Sequence, residues 1–147
     1  AVSHDAADPI GINVFSGNDK ATVVTDTGII SDDILHRLDD STLLVLEANY
    51  DPHMLRFGPY QPFLKQRVAS DEGHLSNEMA AQALLMMKRP DFMQVILAHR
   101  SENNNNAVLV TQTIGKMLVD GGVRIGPEMK LQHGQPNEIV SMQSVKR

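Results

Sequence analysis

Two runs of residues constrain the fold of this chain more than any other feature. "STLLVLEA" at 41–48 and "FMQVILA" at 92–98 are apolar at successive positions instead of alternate ones. Side chains on a strand point to opposite faces in turn, so a run without polar alternation predicts a strand inside a sheet covered on each side. Such strands are usually parallel, and a parallel pair needs a crossover, most often a helix. The sequence between the two runs supplies one. From Ser76 to about Met87 the apolar residues Met79, Ala80, Ala83, Leu84 and Met87 recur at helical spacing, and "KRP" stops the helix.

The same reading extends in both directions. "IGINVF" at 10–15 and "ATVVT" at 21–25 flank the turn formers "SGNDK", which predicts a hairpin. Ser31 is placed to cap a short helix whose first turn carries Asp32 and Asp33, where carboxylates suit the helix dipole. The segment 49–70, with three prolines and a glycine, predicts short helical pieces, one at about 62–69. "NNAVLVTQTIGKMLVDGG" predicts a helix ending at Gly121 and Gly122, and "NEIVSMQSV" at 137–145 a last strand. Strands alternate with helices from residue 42 onward, so the fold class is α/β, in one unit spanning 1–147. No internal repeat or linker interrupts it.

No stretch has the roughly 20 apolar residues of a membrane span, and the opening "AVSHDAADPI" lacks the basic and apolar regions of a signal peptide. A cytoplasmic location is expected. The first residue is not methionine, and an N-terminal part is expected to be missing. The absence of cysteine excludes disulfides, thiolate metal sites and a cysteine nucleophile, leaving His, Asp and Glu as the strong metal ligands. A net charge of −5 does not advertise nucleic-acid binding, although a bound cation and a few local Lys and Arg residues can make a cleft positive.

Three strands run into residues that a core would not choose: Asp26 after "ATVVT", Glu47 and Asn49 after "TLLVL", and His99 after "QVILA". Ligands of open α/β sheets bind beyond the carboxyl ends of strands, so these ends are expected to mark one rim, with His4 and His74 reaching it from loops. A thiol-free set of histidines and a carboxylate suits zinc, manganese or iron. Taken singly, a loop histidine is more often solvated or hydrogen-bonded, and an Asp before Thr-Gly more often a turn or cap residue. Only their joint placement favours a metal site. His36, His53 and His133 are read as surface residues, Met79, Met86, Met87 and Met93 as core filler, and Asp32, Asp33, Asp39 and Asp40 as helix-end or solvated charges.

"SHDAADPIG", "VTDTG", "LEANYD" continuing to "LKQRV", "GHLSNE" and "LAHRSENNN", in this order, resemble the C-terminal half of the metallo-β-lactamase-fold hydrolases of the WalJ (YycJ)-like branch. The match is close over about residues 1–110. The resemblance implies a βα half of a four-layer αββα sandwich and a site holding two divalent ions, zinc or manganese. It implies His4 and His99 as metal ligands and Asp26 as the carboxylate bridging both ions and taking part in catalysis. His74 matches the histidine that contacts the scissile phosphate in related nucleases. Ser76 and Asn77 either help position substrate or serve only as helix caps; Asn103 and Asn104, with Ser101, shape the loop behind His99, and Arg100 meets substrate phosphate. The implied activity is hydrolysis of phosphodiesters in DNA, as an exonuclease, by metal-activated water. A non-catalytic module of the same fold, or a hydrolase of lactones, thioesters or cyclic nucleotides, are the competing readings.

Two departures follow. The superfamily's H-x-H-x-D-H motif does not occur in these residues, so each ion would have only two protein ligands here, where catalytic sites normally have three. Weak or partial metal occupancy and little hydrolysis by this polypeptide alone are expected. Tyr50 stands where the branch typically has histidine, which leaves substrate preference open. Half a sandwich would also expose an apolar sheet face, to be covered by the missing N-terminal half or by a second copy of this chain.

Overall fold

The computed structural model describes residues 1–135 and 137–141. Five strands form one sheet in sequence order: β1 (Ile12–Ser16), β2 (Asp19–Val24), β3 (Leu43–Glu47), β4 (Met93–Ala98) and β5 (Met129–His133). β1 and β2 are the expected antiparallel hairpin, turned at Gly17 with φ +57°, and every later pairing is parallel. Five helices make the connections: α1 (Asp32–Leu38), α2 (Pro52–Phe57), α3 (Pro62–Val68), α4 (Asn77–Met86) and α5 (Ala107–Asp120).

The helix starts follow from local chemistry. Ser31, Asp51, Ser76 and Asn106 each accept a hydrogen bond from a backbone N–H three residues on, satisfying a donor that the first turn leaves free. Pro52 and Pro62 fill first-turn positions where a missing N–H costs nothing.

Topology decides where the core lies. Strands laid down in order by right-handed crossovers put all their connections on one face of the sheet. On that face Leu44, Leu46, Val95 and Leu97 pack with Ile34 and Leu38 of α1, Leu84 of α4 and Ile114 and Leu118 of α5, all nearly or fully excluded from water. Among the described residues nothing covers the opposite face. A row made by Ile12, Val23, Val45 and Ile96 crosses four strands there, and Ile12 and Val23 are 48% and 38% exposed. The expectation that "STLLVLEA" is buried on both sides is therefore corrected for this chain: Leu43 and Val45 are only half-buried. Apolar character on two faces says what each face prefers, not whether this polypeptide supplies the cover.

Three other expectations change. The last strand lies at 129–133, where Met129 and Leu131 point inward between outward Lys130 and Gln132; residues 137–141 are irregular and 142–145 fall outside the described residues. Met87 and Met93 are core residues and Met79 packs against the core, but Met86 points to solvent, one step round the helix from Met87. His36 and His53 are exposed as expected, whereas His133 is half-buried on β5, its Nε2 2.9 Å from Thr111 Oγ1. Burial, with the nearby Arg100 charge second, lowers the His133 pKa.

Candidate active site

Register brings the strand ends level: Val24 pairs Leu46, and Leu46 pairs Leu97. Asp26, Glu47 and His99 therefore leave the sheet along one edge. Asp26 and His99 both have positive φ, +57° and +53°, a conformation that costs non-glycine residues energy and that turns each chain sharply as it leaves its strand.

Loops deliver the other two side chains. The N-terminal segment is fastened to the loop after β2, with Gly28 N–H donating to Ser3 O and Ser3 N–H to Thr27 Oγ1, and to residue 72 through Asp5 N–H and Glu72 O. That fixes His4. Its Nδ1 lies 3.1 Å from the Glu72 carbonyl and its Nε2 faces Asp26 Oδ1 at 3.4 Å. His74 follows a tight loop that needs Gly73: a Cβ there would stand 2.3 Å from the carbonyl oxygens of Arg67 and Val68. Gly28 is under the same restriction, since a Cβ would meet the Ser70 carbonyl oxygen at 2.2 Å. The "TDTG" and "GH" glycines thus allow the loops bearing Asp26 and His74 to approach.

Glu47 sits at the centre, fully buried. Its Oε1 lies 2.7 Å from Nδ1 of His74 and 2.7 Å from Nδ1 of His99, and Oε2 accepts from the N–H groups of Thr27 and Leu75. Burial by itself pushes the Glu47 carboxyl up, but the hydrogen bonds from the two histidines together hold it below its ordinary range. The His99 imidazole is raised in turn, first by its hydrogen bond to Glu47. A carboxylate that takes Nδ1–H sets the tautomer and leaves Nε2 as the atom available for a ligand or a proton.

The predicted set converges. His99 Nδ1 is 3.6 Å from Asp26 Oδ1, and the His74 ring lies between those of His4 and His99, with centroids 5.2 and 5.1 Å away. Ligand atoms of His4, Asp26 and His74 all fall within 4.8 Å of one another, as do those of Glu47, His74 and His99. Imidazole nitrogens and carboxylate oxygens at that spacing, without a thiol, fit a borderline divalent ion. Glu47 is already committed to four donors, so it orients histidines in this arrangement.

A cavity of about 440 Å³ opens beside these rings, lined among others by Asn49, Tyr60, Arg67, Arg100, Ser101 and Asn103. Arg100 and Asn103 thus line the cavity beside the histidines. Ser76, Asn77 and Asn104 do not line it. Ser76 caps α4, and Asn77 and Asn105 exchange amide hydrogen bonds out of water while Asn105 also donates to the Ala48 and Asn49 carbonyls. Asn104 is buried, its carbonyl accepting from Asp51 N–H. Tyr50 is buried with Leu55 and Val68 and does not line the cavity.

Comparison with known proteins gives curated relatives of one kind. The chain is 33% identical over 144 residues to exodeoxyribonuclease YycJ of Bacillus anthracis, which covers 98% of this chain and 54% of that protein. It is 33% identical over 136 residues to exodeoxyribonuclease WalJ of Streptococcus pneumoniae strain D39, covering 92% of this chain and 51% of the relative. The chain is thus similar to these WalJ-type proteins over nearly its whole length. It spans about half the length of the curated relatives it matches. No family model and no solved structure matches it. Among the described residues no helix is long and apolar enough to cross a membrane.

In this WalJ-like chain the residue that strand-end reasoning left without a role is Glu47. The signal was there: a carboxylate directly after four apolar strand residues has to find several donors or leave the core. Which donors it finds is not written nearby.

Proposed function

We propose that this chain is the C-terminal half of a metal-dependent phosphodiesterase that shortens DNA from an end, and that residues 1–147 make up one βα half of its domain. The convergence of His4, Asp26, His74 and His99 around a buried carboxylate carries this reading, and the kinship with exodeoxyribonucleases directs it to DNA. His4, Asp26 and His99 would hold two divalent cations, zinc or manganese, with Asp26 shared and the remaining ligands coming from outside this chain. Bound there, such ions act as Lewis acids and acidify water.

The chain's own residues then have separable tasks. His74, held through Nδ1 by Glu47, turns Nε2 toward the cavity side, donates to a phosphoryl oxygen and passes its proton to the leaving oxygen as the P–O bond breaks. Glu47 stabilises the imidazolium of His74 and keeps His99 in its tautomer. Arg100 pairs with a neighbouring phosphate, and Ser101 with Asn103 shapes that wall. Ser76 and Asn77 act one step back, by seating the helix behind His74.

The open sheet face completes the proposal. Ile12, Val14 and Val23 form part of the surface that the rest of the longer protein, or a second copy of the chain, covers. A cytoplasmic location belongs to the same proposal. The test is metal-supported cleavage of 5'-phosphorylated DNA by the intact protein. Asp26→Ala and His74→Ala are each expected to lower kcat by about a hundredfold or more. Undiminished cleavage by Asp26→Ala would remove its bridging role.

A further inference from the structure

Tyr60 and the inner residues of α3, Leu64, Arg67 and Val68, form one wall of the cavity, with α2 just before them in the chain, and this segment has no part in the chemistry above. Between residues 52 and 70 there is no Asp or Glu, while Arg56, Lys65 and Arg67 all fall there, in a chain of net charge −5. Three of the chain's six Phe and Tyr residues fall there too. Tyr60 lines the cavity with His74 and Arg67. Phe57 and Phe63, three residues to either side of Tyr60, are 67% and 70% exposed, although a phenylalanine ring has more to gain from burial than almost any other side chain. Phe57 has the His53 ring centred 4.6 Å away and the Arg56 guanidinium 5.3 Å from its centroid.

We infer that Phe57, Tyr60 and Phe63 are a stacking platform for unpaired bases of a DNA strand on its way into the cavity. This deepens the nuclease reading and rests on it for the choice of ligand. A protein partner would also welcome exposed aromatic rings, but the absence of carboxylates within 52–70 and the flanking cations Arg56 and Lys65 favour a polyanion; Arg67, deeper in the cavity, is already paired with Asp5. Arg56 and Lys65 make no ion pair among the described residues, and the Lys65 ammonium instead donates to the Arg56 carbonyl. Rings that meet base faces, between cations that meet the backbone, are how single strands are gripped without regard to sequence. An end-directed nuclease needs such a grip, because the terminal nucleotides must leave the duplex before their phosphates can reach a recessed site.

The experiment measures binding of the intact protein, in chelator to prevent cleavage, to a 5'-phosphorylated oligothymidine of about 20 nucleotides and to an abasic strand of the same length. Phe57→Ala and Phe63→Ala are expected to weaken oligothymidine binding by about tenfold each, with melting temperature unchanged because both rings lie outside the core. Affinity for the abasic strand should be the same in wild type and variants. Unchanged oligothymidine affinity, an equal loss on the abasic strand, or no binding by wild type would each overturn the platform, and the first would assign the rings to a protein contact. DNA cleavage by the metal-loaded wild type reports separately on the nuclease reading. Ring-dependent binding without cleavage would keep the platform and sink the enzyme.

Discussion

Replacing Glu47 with glutamine tests the organisation of the site most directly. The carboxylate takes four hydrogen bonds while fully buried: two imidazole nitrogens at 2.7 Å on one oxygen, and backbone N–H groups at 3.1 and 3.4 Å on the other. Glutamine preserves the shape but offers a single acceptor oxygen: with that oxygen toward the backbone N–H groups, its NH2 faces both Nδ1 atoms, which can accept only as neutral rings in the opposite tautomer, so the charged bonds are lost. With the oxygen toward the histidines, the Thr27 and Leu75 N–H groups are left facing N–H, and the histidine bonds lose their charge. Unsatisfied buried donors cost about 1–3 kcal/mol each, and removing one partner of a buried pair costs about 3–5 kcal/mol. The half-exposed His99 places the expected loss at the lower end, about 3 kcal/mol. For a chain of this size that is a fall of roughly 6–12 °C in melting temperature.

The effect should depend on pH with a definite sign. Glu47 is held below its ordinary range, so its contribution is present above that range and is lost as pH falls through the lowered value. His99 is raised by Glu47, so its share is present below about pH 6.5 and is lost as pH rises through the raised value. The gap between wild type and Glu47→Gln is therefore widest in the weakly acidic range and narrows on both sides. Calorimetric melts of the intact, metal-free protein across that range measure it. A variant that melts within about 2 °C of wild type at pH 6 would mean that Glu47 is not an ionised acceptor, and the account of how His74 and His99 are oriented would fail.

Gly73→Ala places a Cβ 2.3 Å from two backbone carbonyl oxygens and should cost about 1–3 kcal/mol in thermal unfolding while lowering DNA cleavage through His74; unchanged melting would show that the loop can yield. Val14→Glu, on the open sheet face, should alter the stability of the 147-residue chain by no more than about 0.5 kcal/mol but destabilise the intact protein by about 3 kcal/mol or more. Equal effects in both would mean that nothing packs on that face.

Much of this protein is decided within short windows of sequence. Helix starts are local because Ser31, Ser76 and Asn106 bond to N–H groups three residues away. The rim is local in the same sense: an apolar run that stops at Asp26, Glu47 or His99 marks a strand end, and parallel strands share an end. The order of the motifs carried the kinship as well. β5 does not stand out in the sequence because only Met129 and Leu131 of its five residues are apolar, too little signal against the run at 137–145. Met86 and Met87 are neighbours of one type, and only the rotation of α4 decides that one is core and the other solvent-facing.

What tertiary structure alone decided concerns partners distant in sequence. Glu47 meets Thr27, His74 and His99 across 20, 27 and 52 residues, and no spacing rule spans those separations, so a strand-end carboxylate could be placed on the rim but not joined to its histidines. The glycines before His74 and after Asp26 read as turn formers until the carbonyls of another loop are seen against them. Cover for a sheet face is likewise not a property of the strand. Hydrophobicity records that Val45 prefers to be out of water, and only the path of the described residues shows that α1, α4 and α5 pack on the other side.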